Sequence, residues 1–184
     1  MRKSKMMKRI VNIASGTLSV ALILATVFYA MQVRAMEMQD AHKIDFDTQV
    51  QCIATNIYHE ARAESELGMR AVAWVTLNRV QHESYPDTAC DVVYQTVTDA
   101  NGKPKRHKCQ FSWYCDGKSD QIKNIQLFAK AIMIASDILN NFDNYPDPTG
   151  GSHMYHANYV SPDWAEDYEK VVNIDNHIFY RDKK

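Results

Sequence analysis

The feature that most limits how this chain can fold is the contrast between its first 35 residues and the rest. A basic head is followed by a stretch with no charged residue, from Ile10 to Val33, and the remainder of the chain is polar and mixed. This order is typical of an export signal, with cleavage expected after Ala35. About 150 residues then remain, enough for one folded domain.

The same apolar stretch is nearly long enough to span a bilayer, so an uncleaved N-terminal anchor formed by residues 10–33 is the alternative. In both cases the basic head stays in the cytoplasm and the remainder is exported to the periplasm or cell envelope. We therefore expect residues 1–35 to be a signal peptide or membrane anchor, residues 36–50 a linker and residues 51–184 the folded domain. Membrane contact is expected only through the N-terminal segment.

Charge argues against a nucleic-acid partner. The first 35 residues hold six of the 21 Lys and Arg residues and none of the 22 Asp and Glu residues, which leaves a formal charge of −7 on the rest. An acidic domain lacks the basic surface that nucleic-acid binding requires. The short basic cluster at residues 103–108 is interpreted as a solvated loop.

The four cysteines all follow the export segment. An even number of cysteines in an exported domain favours two disulfides, with three possible pairings left open. No two of them have the spacing of a zinc knuckle, which argues against a four-cysteine zinc site. The candidates are Cys52, Cys90, Cys109 and Cys115.

Hydrophobic periodicity predicts helices over residues 48–63, 69–81 and 121–140, with Gly68 as a break between the first two. The second helix is apolar on nearly every side around residues 71–75 and should be the central buried helix. Residues 91–97 fit either a short helix or a strand. Turn residues at 101–102 and 175–176 predict two hairpins, and residues 154–159 look extended. Helices followed by a small antiparallel sheet give an α+β fold.

Glu60 is the residue with the most distinctive chemical setting. It lies at the margin of the apolar stripe of the first predicted helix, among aromatic and basic neighbours. Partial burial would raise the pKa of such a carboxyl group, so that it keeps its proton near neutrality. A general acid for glycosidic bond cleavage needs this property, although a surface glutamate in an ion pair is the commoner outcome.

Several separated blocks of the chain resemble the spore cortex-lytic enzyme type of bacterial cell wall hydrolase. They are residues 52–64 (CIATNIYHEARAE), 71–80 (AVAWVTLNRV), 109–113 (CQFSW), 155–157 (YHA), 164–165 (WA) and 176–180 (NHIFY). The resemblance covers roughly residues 52 to 181, and it departs at Ala63, where the family pattern usually has glycine.

The resemblance implies a lysozyme-like or lytic-transglycosylase-like fold that cleaves peptidoglycan glycan strands, with one essential glutamate at Glu60. Hydrolysis would require a second carboxylate, and the candidates Asp116, Asp163 and Glu166 stand in no distinctive context. A lytic transglycosylase needs only one acid that later serves as base. We therefore expect transglycosylation between N-acetylmuramic acid and N-acetylglucosamine, by a monomer without cofactor or metal.

Two segments are candidates for contacting the glycan. The first supplies flat surfaces and polar donors between two cysteines, although a disulfide-pinned aromatic mini-core explains it equally well. The second is extended, and its histidine has the alternative of bonding a backbone carbonyl. These residues are Gln110, Phe111, Ser112, Trp113, Tyr155 and His156.

Three further residues are expected to support the site. Glu64 would share a helix face with Glu60 and help to keep it protonated, or would pair with Arg62 or Arg70. Arg62 is interpreted as a scaffold residue. Asn78, an amide on an apolar helix, is expected to make structural hydrogen bonds that orient the loop carrying Glu60.

Two other functions compete with this interpretation. A zinc-dependent amidase or peptidase would use His153, His156 and His177, but residues three apart on a strand point to opposite faces. No His-Glu-x-x-His motif is present either. The second rival is a wall-binding protein without catalytic activity.

Overall fold

The computed structural model describes the backbone of residues 2–183 and the side chains of residues 22–183. Two compact units are present, Met1–Asp45 and Phe46–Lys184. The described part of the first unit is helical, with exposed apolar side chains such as Leu22 and Phe28. The side chains of residues 1–21 of the expected export segment lie outside the described residues. Among the residues that are described, no helix has a stretch long and apolar enough to cross a bilayer.

Helix α1 extends over Arg2–Ala61 and therefore includes residues 36–50, which were expected to form a linker. The segment expected to be a linker is thus helical in its local structure. The segment contains neither proline nor glycine, the two residues that most strongly interrupt a helix. The helix also ends two residues before the predicted position 63.

Helix α2 covers Glu66–Val80, so Gly68 lies inside this helix rather than between two helices. Ser65 caps the helix, because its hydroxyl accepts a hydrogen bond from Gly68 N at 3.2 Å. A Cβ at position 68 would collide with the carboxylate of Asp175 and with Cβ of Glu64. Gly68 thus permits a close approach by the chain around Asp175.

The ambiguous segment 91–97 contains parts of both a helix and a strand. Helix α3 is Ala89–Val93, and strand β1, Thr96–Thr98, pairs antiparallel with β2, Pro104–Cys109. The predicted turn at 101–102 is confirmed, with Gly102 at φ +76°. A 3-10 helix, Ser112–Cys115, follows β2.

Helix α4 covers Ile125–Asn141 and begins four residues later than predicted. A tertiary contact explains the delay: the Tyr58 hydroxyl accepts hydrogen bonds from the backbone N–H groups of Lys123 and Asn124, both at 3.1 Å. Asn124 then caps the helix through its side-chain oxygen, which accepts from Leu127 N.

The last section is a three-stranded antiparallel sheet of β3, Met154–Ala157, β4, Glu169–Ile174, and β5, His177–Arg181. The strand order is β3-β5-β4, and a 3-10 helix, Asp163–Asp167, precedes β4. The predicted hairpin between β4 and β5 is confirmed, with Asp175 in the left-handed region at φ +49°.

Helix α2 is the central buried helix, as predicted. One of its faces packs with residues 50–61 of α1 and with α4 around Ile57, Val72 and Ile138. The other face packs Val75 against Phe179 of the sheet. Helices packed on a small antiparallel sheet confirm the α+β class.

The four cysteines form two disulfides, which selects one of the three pairings left open by the sequence. Cys52 of α1 is bonded to Cys90 of α3. Cys109, at the end of β2, is bonded to Cys115. The second bridge closes a short loop around residues 110–114.

Candidate active site

Glu60 is the penultimate residue of α1, and its half-buried side chain lines a cavity of about 590 Å³. The ends of α1 and α2, the segment that follows β2, and strands β3 and β5 surround this cavity. The sheet and the helical core therefore meet at the carboxyl group that the sequence singled out.

Tyr155 on β3 contacts Glu60 directly, since its hydroxyl donates a hydrogen bond to Glu60 Oε2 across 3.0 Å. Burial raises the pKa of Glu60, while the bond from Tyr155 and the positive charge of Arg79 oppose that rise. Burial and the nearby Glu60 also raise the pKa of Tyr155 well above its ordinary value. Tyr155 thus remains a donor, and Glu60 keeps its proton to higher pH than an exposed glutamate does.

The segment following β2 forms one wall of the cavity. The Trp113 ring stacks on the His59 ring, with centroids 4.4 Å apart and planes at 16°. Trp113 Nε1 donates to Asn56 Oδ1 at 3.0 Å, so a buried amide of α1 holds the indole in place. The segment is therefore an aromatic mini-core and a cavity wall at once. Its lining residues are Gln110, Phe111, Ser112 and Trp113.

His156 also lines the cavity, with its ring held at both nitrogens. Nδ1 lies 2.9 Å from the carbonyl oxygen of Ala157, and Nε2 lies 2.9 Å from the Tyr180 hydroxyl. Nδ1 carries the proton in this arrangement, because a carbonyl only accepts, and Nε2 then accepts from Tyr180. The backbone bond that the sequence offered as an alternative is present.

The roles expected for Glu64 are wrong. Because α1 ends at Ala61, Glu64 is not one helical turn beyond Glu60. Its carboxylate accepts hydrogen bonds from the backbone N–H and the side-chain amide of Asn176, at 3.3 and 3.1 Å. Arg70 pairs instead with Glu66 and with Asp137 of α4.

Arg62 and Asn78 make structural contacts. Arg62 Nη1 donates to the carbonyl oxygen of Tyr58 at 3.2 Å, which satisfies an acceptor in the last turn of α1. Asn78 Nδ2 donates to Asp147 Oδ2 at 3.0 Å and to Ser152 O at 2.9 Å. Asn78 thus orients the 147–152 loop that leads into β3, not the loop after Glu60 as expected.

The three candidates for a second carboxylate occupy different places. Asp116 lines the cavity of Glu60, where it accepts a hydrogen bond from Lys118 N at 2.7 Å. This bond and the charge of Lys118 lower the pKa of Asp116. Asp163 and Glu166 line a separate hollow of about 440 Å³.

Unsatisfied polar atoms concentrate around the cavity. Four buried side-chain nitrogen or oxygen atoms among the described residues have no hydrogen-bond partner. Three of them belong to cavity-lining residues: His59 Nε2, Arg79 Nη1 and His177 Nδ1. Buried polar atoms are normally paired, so such a concentration is typical of a site that receives water or a ligand.

Sequence reasoning overlooked two residues of the site. Arg79 is only 3% exposed and lines the cavity, while Asn56 is fully buried and holds Trp113. Both stand on faces of helices that are otherwise apolar, and a polar residue in such a position needs a partner. The polar residue on an apolar helix face could have been noticed in the sequence, but the sequence does not show which group it bonds.

His156 and His177 both line the cavity, but the three histidines of the zinc rival do not form a group of potential metal ligands among the described residues. Within the described part of the chain, one group of three potential metal ligands is found, His82, His153 and Asp182, with ligand atoms within 4.8 Å of one another. Ser84 N–H donates to His82 Nδ1, so the proton of neutral His82 lies on Nε2, 3.0 Å from Asp182 Oδ2. A metal would have to displace this proton, and none of the three residues is among those lining the cavity of Glu60.

Two curated bacterial proteins and a solved structure are similar to this chain. A spore cortex-lytic enzyme of Bacillus cereus is 29% identical over 131 residues, which are 71% of this chain and 43% of that protein. A spore cortex-lytic enzyme of Halalkalibacterium halodurans is 27% identical over 134 residues, which are 72% of this chain and 34% of that protein. The chain therefore spans less than half the length of these relatives.

A crystal structure of the catalytic domain of the Bacillus cereus SleB protein has a similar fold, with a TM-score of 0.51 and 28% identity over 72% of this chain and 89% of that one. The family model for cell wall hydrolases matches residues 63–180, a range that begins just after Glu60 and includes most of the cavity wall. The chain belongs to the cell wall hydrolase family.

Proposed function

We propose that this protein degrades peptidoglycan by cleaving the glycan strand between N-acetylmuramic acid and N-acetylglucosamine, with Glu60 as general acid and then base. The observation that carries the proposal is a carboxyl group that lines a cavity together with aromatic rings and unsatisfied polar atoms, and whose pKa is raised by burial. Family membership and relatives that are named spore cortex-lytic enzymes support the same chemistry.

The proposed reaction is a lytic transglycosylation. Glu60 gives its proton to the bridging oxygen as the bond from that oxygen to the anomeric carbon of muramic acid breaks. The 6-hydroxyl oxygen of the same sugar then bonds to the anomeric carbon, and its proton passes to Glu60. The acid is regenerated, and the products are a 1,6-anhydro end and a free N-acetylglucosamine hydroxyl. No water is consumed, so one carboxyl group suffices.

The cavity wall offers the surfaces that a glycan needs. The Gln110–Trp113 segment, Tyr155 and His156 are the proposed substrate contacts, because all of them line the cavity. Tyr159 is a further proposed contact, since this residue is 81% exposed, lines the cavity and offers an aromatic ring to a sugar. Tyr155 serves mainly through its hydrogen bond to Glu60.

The decisive experiment combines a variant with product analysis. Purified sacculi are treated with the wild-type protein and with Glu60→Gln, and the released fragments are identified by mass spectrometry. We expect anhydromuramic ends from the wild type and none from the variant. Glu64→Gln is the matched control, because its carboxylate contacts Asn176 and should leave cleavage intact.

Other products would point to other reactions. Reducing ends would show that the glycan is hydrolysed and not transglycosylated. Free stem peptides would indicate an amidase or peptidase. Full activity of Glu60→Gln would remove Glu60 from the mechanism, whereas binding without cleavage by the wild type would favour a wall-binding protein.

We also infer that residues 1–35 export the chain to the periplasm or cell envelope, as signal peptide or anchor, and that the domain acts as a monomer. Two disulfides support an oxidising compartment. Fractionation of cells with N-terminal sequencing of the mature chain tests the first point, and sedimentation of the domain tests the second. An unprocessed chain in the cytoplasmic fraction would contradict export.

A further inference from the structure

Arg79 is a buried cation that forms no ion pair with any described carboxylate. It lies near the end of α2, and its Nε donates a hydrogen bond to the carbonyl oxygen of His153 at 2.7 Å. Its guanidinium carbon lies 4.8 Å from the centroid of the Phe111 ring and 5.4 Å from that of Tyr85. None of the ion pairs within 4.0 Å among the described side chains involves Arg79.

A charge in this setting is costly unless it interacts with an opposite charge. Burial lowers the pKa of Arg79, and this effect is opposed by Tyr155, by Tyr85, which also forms a hydrogen bond with Arg79, and by the carboxyl group of Glu60. The groups that act on Glu60 are Tyr155 from β3 and Arg79 from α2. Arg79 and Glu60 also line the same cavity. The charge of Arg79 can therefore act on the Glu60 carboxyl group directly across that cavity.

A second link between the two residues passes through β3. Arg79 holds the carbonyl of His153, which comes immediately before this strand, and Tyr155 two residues later holds Glu60 Oε2. If the start of β3 moved, the Tyr155 hydroxyl, which donates a hydrogen bond to Glu60, would therefore be displaced.

We propose that Arg79 is a positioning residue for Glu60, whose buried charge stabilises the carboxylate left after proton donation and whose Nε–H fixes the strand carrying Tyr155. This proposal rests on the proposed function. The absence of direct contact matters, because an arginine bonded to Glu60 would keep it ionised and abolish its use as an acid. An arginine that acts without contact leaves the pKa of the acid raised by burial, yet lowers the energy of the ion that forms during the reaction.

The direct test is titration of Glu60 by NMR in protein labelled with ¹³C at the glutamate carboxyl carbons, with the signal assigned through Glu60→Gln. Arg79→Gln keeps a side-chain N–H donor and removes the charge. We expect the midpoint of the Glu60 titration to rise by about one pH unit or more. Arg70→Gln is the control on the same helix, because Arg70 pairs with Asp137 on another face, and it should leave the midpoint unchanged.

Activity provides a second readout. The loss of kcat/KM at high pH reports ionisation of the acid, so this limb should move to higher pH in Arg79→Gln, with kcat reduced more than KM is changed. An unshifted Glu60 midpoint in a folded Arg79→Gln protein would overturn the proposal.

Arg79→Lys covers the case in which Arg79→Gln does not fold. Lysine keeps the charge but has no Nε–H group at the same position, so we expect a lower Tm with a Glu60 midpoint close to that of the wild type. A rise of one unit in this variant would also overturn the electrostatic role. Because the NMR titration needs no turnover, its outcome is separate from that of the Glu60→Gln cleavage test.

Discussion

The hydroxyl of Tyr155 donates to Glu60 Oε2 across 3.0 Å, joining a residue of the C-terminal sheet to the last turn of the first helix. The two residues are 95 positions apart in the chain. Tyr155 favours the ionised form of Glu60, whereas burial favours the protonated form. The proton affinity of Glu60 therefore depends on how the sheet is placed against the helices.

Replacing Tyr155 by phenylalanine should raise the pKa of Glu60, because the ionised carboxylate loses a donor. The high-pH limb of kcat/KM should move to higher pH, and kcat should fall by roughly tenfold, the effect of about 1.4 kcal/mol. A pH–rate profile on solubilised glycan strands measures both changes. Tyr145→Phe is the control, since its hydroxyl contacts Asp137 at the surface; equal profiles for Tyr155→Phe and wild type would contradict the assignment.

Stability should depend on pH through Glu60. Its pKa is raised in the folded state, so the folded protein binds a proton that the unfolded chain has released. This contribution is present below the unfolded pKa of glutamate and is lost as pH rises through the folded value. Glu60→Gln, which cannot ionise, should therefore have a higher Tm than wild type at pH 8, with the difference shrinking toward pH 4. Thermal melts of both proteins across this range test the prediction, which a constant difference would refute.

The two disulfides should differ in what they stabilise. The Cys52–Cys90 bridge closes a loop with a sequence separation of 38, and the Cys109–Cys115 bridge one of 6. Chain entropy then predicts losses of about 4 and about 2 kcal/mol of unfolding free energy for the paired serine variants. Urea unfolding measures these values. The 109/115 variant should lose activity beyond its loss of stability, because the loop it frees carries Phe111 and Trp113.

Gly68→Ala should destabilise the domain by about 1–3 kcal/mol, the usual cost of overpacking a close contact. The added methyl group would collide with the carboxylate of Asp175, which also accepts hydrogen bonds from Ser65 N at 2.9 Å and from Ser65 Oγ at 2.6 Å. Asp175→Gly preserves the left-handed turn and removes the collision with the carboxylate, while the close approach to Glu64 Cβ remains. The double variant should therefore lose less than the sum of the two single losses, and strict additivity in urea titrations would argue against the collision.

Chelation should leave cleavage unchanged. His82 Nε2 and His153 Nε2 lie 3.0 and 3.3 Å from the carboxylate oxygens of Asp182, and neither histidine is among the residues that line the cavity of Glu60. Assays on sacculi with and without a chelator test this directly. Activity that disappears with the chelator and returns with zinc would revive the metal-dependent alternative.

Local patterns in the sequence were enough to predict much of the fold. The spacing of apolar residues predicted the helices, with α2 as the central one, and turn residues predicted both hairpins. Each of these signals arises from neighbouring residues. The ends of the helices were less well predicted: Tyr58 delays the start of α4, and a close approach by Asp175 explains a glycine within α2.

The sequence by itself determined the α+β class, the family resemblance and the choice of Glu60 as the carboxyl group of interest, because periodicity and motif order are written along the chain. Only the tertiary structure decided which cysteines pair, that Glu64 bonds Asn176, and that Tyr155 bonds Glu60 in a cavity that Arg79 also lines. These contacts join residues far apart in sequence, and a residue's local pattern carries no information about the partner that folding brings to it.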